Sequence, residues 1–82
     1  MGQEMIMAIR TDKRRENAEA LQKVLTEFGC NIKLRLGLHE TGNVCSESGL
    51  ILLVLAEPKE EIARLEDALK KLDGIRYKTM EV

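Results

Sequence analysis

Apolar residues recur along this chain with two different periods, and the switches between them mark its elements. Residues 4–11 alternate loosely and are rich in Met and Ile, which predicts a strand. From Asp12 the spacing lengthens: Ala18, Leu21, Val24, Leu25 and Phe28 fall three and four apart, one buried face of a helix. Thr11 or Asp12 is suited to cap its start, and Gly29 stands where a left-handed C-terminal residue belongs. Cys30, Ile32, Leu34, Leu36 and Leu38 then alternate with Asn31, Lys33, Arg35 and Gly37, predicting a strand with one buried face. His39 to Ser48 is polar and reads as the loop of a long hairpin. Gly49 opens the run Leu50 to Leu55, apolar on both faces and therefore a central strand.

Pro58 ends that strand and suits the first turn of a second helix, whose buried face is Ile62, Leu65, Ala68, Leu69 and Leu72 and which Gly74 closes. Ile75, Tyr77 and Thr79 finally alternate with Arg76, Lys78 and Met80 up to Val82. The order β-α-β-β-α-β predicts an α+β, ferredoxin-like sandwich: a four-stranded antiparallel sheet with two helices on one face. Right-handed crossovers place the first and third strands at its centre.

Two helices cover only one face of such a sheet. The edge strands are expected to offer Lys33, Arg35, Arg76 and Lys78 to the other face. The central strands leave apolar atoms there under either parity. An exposed apolar patch of this kind marks a partner surface. The expectation is a homodimer or homotetramer joined through the sheet.

The 82 residues make one domain, 1–82, near the lower end of what folds without disulfides, metal or a partner. Only Phe28 and Tyr77 are aromatic, so Leu, Ile, Val, Met and Ala must build the core. Thirteen basic against fourteen acidic residues give a net charge of -1, without the positive excess of a phosphate-neutralising domain. The central strands carry no aromatic residue on which bases could stack. Direct nucleic-acid binding is therefore not expected. The start of the chain lacks a basic region followed by a long apolar run, and the run Leu50 to Ala56 is too short to span a bilayer. Ile6 stands where myristoylation wants Ser or Thr. A cytoplasmic protein with reduced Cys30 and Cys45, not bound to membranes, is the resulting expectation.

Two clusters carry candidate chemistry. The basic run Lys13, Arg14 and Arg15 opens the first helix, where backbone N–H groups favour an anion or carboxylate. His39 and Cys45, with Glu40 and Glu47 nearby, offer ligands of the kind zinc, nickel or copper takes. Two such ligands do not close a site, so others would come from a second subunit or from the glutamates. The bland alternatives are a solvated helix turn and a polar loop. Neither a third orienting group nor an oxyanion loop accompanies Cys45 and His39, so an enzyme is not expected. The Cys-x-x-Cys loop of metal chaperones is replaced by Thr11-Asp12-Lys13-Arg14, and the phosphate cradle of small phosphatases is missing.

The segments Leu25-Thr26-Glu27-Phe28-Gly29, Ile32 to Leu38, Leu50 to Leu55 and Leu72 to Lys78 together resemble the regulators of the iron-only hydrogenase system, an ACT-like family. The resemblance implies a ferredoxin-like oligomer with a regulatory role and a small-molecule effector or protein partner. ACT domains commonly bind effectors near the first strand–helix loop, which implicates Arg10, Asp12, Lys13 and Arg14. That loop lacks the Asp-x-x-Gly turn of amino-acid-binding members. The chain is also similar to the C-terminal domain of nickel-responsive repressors, whose metal motif His39 and Cys45 match in part, with Gly37 where the first histidine stands. A transition metal is the cofactor this likeness implies.

Overall fold

The structure is a computed structural model and describes residues 4–12, 15–40, 46–56 and 58–82. Seven elements follow one another: β1 (Met5–Thr11), α1 (Arg15–Glu27), a single 3₁₀ turn (Gly29–Asn31), β2 (Ile32–Glu40), β3 (Ser46–Leu55), α2 (Lys59–Lys70) and β4 (Ile75–Glu81). The sheet is antiparallel in the order β2-β3-β1-β4. The central strands are the two whose sequences are apolar on both faces. The predicted architecture is the observed one.

Alternation assigns each residue of the central strands to one side. Met7 and Ile9 of β1 and Leu53 and Leu55 of β3 are 0% exposed. They pack against Leu21 and Leu25 of α1, Phe28 just beyond it, and Ile62, Leu65 and Leu69 of α2. These are the residues that the three-and-four spacing selects. Core atoms this enclosed lose all contact with water, each large side chain contributing about 1.5–3 kcal/mol of transfer free energy. Ile51, Ile75 and Tyr77 extend the core towards its margins.

Several local expectations need correction. α1 is described from Arg15, and the two residues before it lie outside the described ones. Asp12 accepts from the Asn17 side-chain amide at 3.0 Å. Gly29 is not left-handed; it opens the 3₁₀ turn, in which Cys30 is exposed rather than on a buried strand face. The chain leaves α1 with Phe28 seated in the core, and the tight turn carries it directly into β2. Pro58 stands just before α2 rather than in its first turn.

The described residues of the predicted loop 39–48 are strand. β2 runs to Glu40 and β3 starts at Ser46, with His39 opposite Glu47 and Glu40 opposite Ser46. A two-stranded ribbon satisfies its own backbone groups and requires no apolar side chains, so polar sequence does not prevent it. Gly49 lies within β3 with φ 80, inside the irregularity between Gly37 and His39 of the facing strand. Its left-handed backbone is one that a side chain disfavours.

The most consequential correction concerns the parity of β2. Ile32 faces Leu55, but Leu34 faces the very next residue, Val54, so Lys33 is an extra residue in the ladder. Such a bulge reverses the side on which every later residue stands. Leu34 and Leu36, expected in the core, are 50% and 47% exposed on the open face. Arg35 and Gly37, expected outside, stand on the helix side and line a small recess with Ala18, Leu21 and Gln22 of α1.

Candidate functional site

The face of the sheet without helices has a regular composition, read from the strand registers. Leu34, Val54, Ile6 and Met80 form one row across all four strands. Leu36, Leu52, Ala8 and Lys78 form the next, and Leu50, Arg10 and Arg76 the third. Two rows are thus apolar apart from Lys78, with Met80 56% exposed at the β4 edge. Beyond the first row, Glu4 accepts from Lys33 at 2.8 Å. The apolar area is broad, continuous and closed at one corner by three cations. Contiguous apolar positions of this kind, rather than scattered single aliphatics, mark a candidate partner surface.

At the basic corner, Arg10 and Arg76 stand directly opposite each other on adjacent strands, and Lys78 lies one row away. Like charges so placed repel across about 5 Å between their β-carbons. Among the described residues, Arg76 and Lys78 are in no ion pair. A shallow depression of about 650 Å³ runs over this corner and round the β4 edge, touching Ala8, Arg10, Leu50, Arg76, Lys78 and Lys70. A neighbouring recess of about 420 Å³ lies between Arg10, Asp12, Gly74 and Arg76.

Gly74 is what lets these two segments meet. Its φ of 70 and a position hard against the Asp12 carboxylate leave no room for a β-carbon, while Asp12 N–H donates to the Gly74 carbonyl at 3.0 Å. The end of β1 is thereby tied to the start of β4, which sets Arg10 beside Arg76. On the opposite side of β4, the Tyr77 hydroxyl donates to Glu66 of α2 at 3.2 Å. Burial first, and then the Glu66 charge, raise the Tyr77 pKa above its ordinary value.

The predicted site residues separate in the structure. Arg10 is exposed at the basic corner, whereas Asp12 is engaged with Asn17 and the Gly74 turn. Lys13 and Arg14 lie outside the described residues, as does Cys45. His39 is in strand β2 rather than a loop, across from Glu47. Among the described residues no group of three or more His, Cys, Asp or Glu is placed to hold a metal ion. Nor is any described helix long and apolar enough to cross a membrane. The residues absent from the predicted site are Arg76 and Lys78. Their basic alternation in the last strand is visible in the sequence, and so is that strand's place at the sheet edge, but not the register that sets Arg76 opposite Arg10.

No family model matches this chain, and no curated protein does. Solved structures do. The uncharacterized protein TM1266 from Thermotoga maritima superimposes with a TM-score of 0.79 at 23% identity, over 100% of this chain and 99% of that one. The ACT domain of GTP pyrophosphokinase from Chlorobium tepidum gives 0.57 at 16% identity, covering 98% and 96%. A PII-like signaling protein from Thermus thermophilus gives 0.58 at 14% identity, covering 100% and 87%. The fold is ACT-like. At these identities the likeness concerns architecture, and a shared architecture hosts many activities.

Proposed function

We propose that this chain is a non-enzymatic ACT-like regulatory module, a single domain over residues 1–82, acting as a homodimer or homotetramer joined through its open sheet face. The observation that carries the reading is the apolar double row from Leu34 and Leu36 across to Met80. Burying it against a second copy removes apolar surface from water at about 25 cal/mol per Å². A small domain gains proportionately more from that burial than a large one. The ACT-like fold and the resemblance of Leu25–Gly29, Ile32–Leu38 and Leu72–Lys78 to regulators of the iron-only hydrogenase system support a regulatory role in such a system. Its effector is a small molecule or a protein, and the cell compartment is the cytoplasm.

Size-exclusion chromatography with light scattering tests the assembly. The wild-type chain at micromolar concentration is expected to elute as a dimer or tetramer, and Val54→Glu as a folded monomer with unchanged far-UV circular dichroism. A wild-type monomer overturns the proposal.

A further inference from the structure

We propose that the Arg10–Arg76–Lys78 corner binds a small organic polyanion whose phosphate or carboxylate groups meet the three cations and whose apolar part rests on Ala8 and Leu50. The inference deepens the regulatory reading above by naming the chemical class of an effector and the place it occupies. It rests on that reading only for the word effector, because the corner is built within one chain.

Four observations converge. Arg10 and Arg76 face each other in register, and Lys78 extends the positive charge into the next row. Holding like charges side by side costs free energy in the empty state, and a bound anion converts that cost into attraction. Arg76 and Lys78 are in no ion pair among the described residues. Glu4, on the same face, lies three rows from Arg10 and Arg76 and is already bound to Lys33 at 2.8 Å.

The chemistry of the donors narrows the ligand. Guanidinium groups present paired N–H donors that match the two oxygens of a carboxylate or phosphate, so two arginines favour more than one oxyanion group. The depression of about 650 Å³ is of the size that small ligands fill, and Lys70 at its far side adds a fourth cation. Its apolar lining is mostly aliphatic, from Ala8, Leu50, Leu69 and Ile75, with Tyr77 the aromatic side chain at the β4 edge. Asp12 accepts from the neutral Asn17 amide and keeps its charge at the neighbouring recess, which places the ligand's oxyanion groups on the Ala8 and Leu50 side of the corner.

An NMR titration of the whole ¹⁵N-labelled chain tests the site, with inorganic pyrophosphate and citrate as probes and acetate as the monovalent control. Saturating shifts are expected at residues 8–10, 50 and 76–78, with either polyanion bound at least tenfold more tightly than acetate. The double variant Arg76→Ala, Lys78→Ala is expected to weaken binding at least tenfold, while the distant Lys23→Ala leaves it unchanged. Preference for pyrophosphate identifies a phosphorylated ligand, preference for citrate a carboxylic one, and both support the site. Absence of saturation with either probe, or equal affinity in the double variant, overturns it. Light scattering on the same samples separates the two proposals. An oligomer that binds neither probe defeats the anion site alone, and a monomer that binds them defeats the assembly alone.

Discussion

The two faces of one sheet are built from nearly the same residues and end in opposite environments. Within β3, Leu53 and Leu55 are fully buried while their neighbours Leu52 and Val54 remain partly exposed. Within β1, Met7 and Ile9 are buried while Ile6 and Ala8 are not fully covered. Composition does not distinguish the faces. Contact with α1 and α2 does, because two helices saturate one side and leave the other without a partner. An apolar strand face is therefore core on one side and a candidate interface on the other.

The sharpest way to break this contrast is to remove the same atoms from each side. Leu53→Ala should cost about 2–5 kcal/mol in urea denaturation, since it opens a cavity among Met7, Leu25 and Leu65. Leu52→Ala should cost about 1 kcal/mol or less under dilute, monomeric conditions, and its larger effect should be on oligomer dissociation measured by light scattering. Equal losses of monomer stability would show that the open face is packed as tightly as the core.

A smaller effect is expected at the margin of the covered face. Tyr77 has its folded-state pKa raised by burial and by Glu66. Its neutral form is thus favoured by folding, and the associated stability is complete below the unfolded pKa. That contribution is lost as pH rises past about 10 towards the folded-state value. Tyr77→Phe should lower stability at pH 7 by about 0.5–1.5 kcal/mol and abolish that part of the alkaline decline, as thermal melts between pH 8 and 11 would reveal.

The smallest effect should come from deleting Lys33. Removal of the extra residue leaves Ile32 facing in and Leu34 facing out on a regular ladder, so the open face keeps both leucines. Stability is expected to change by no more than about 1 kcal/mol, the upper value for the exposed Lys33–Glu4 pair, and the oligomer to persist. Disassembly on this deletion would show that the bulge shapes the interface itself.

Much of this molecule was legible in the sequence, because periodicity is a local property. The three-and-four spacing from Ala18 to Phe28 and from Ile62 to Leu72 selected both helix faces. The doubly apolar run Leu50–Leu55 selected a central strand, and the handedness of crossovers gave the strand order. Arg10 was legible as a candidate residue through the first strand–helix turn, whereas Arg76 and Lys78 were not, since the register that sets them beside it depends on pairing across more than sixty residues. Tertiary structure alone decided which parity of β1 and β3 is buried, because both parities are apolar and only helix contact separates them. It also decided the outward turn of Leu34 and Leu36. A regular alternation carries no mark of the single bulged residue that reverses it, and that reversal depends on how β2 pairs with β3.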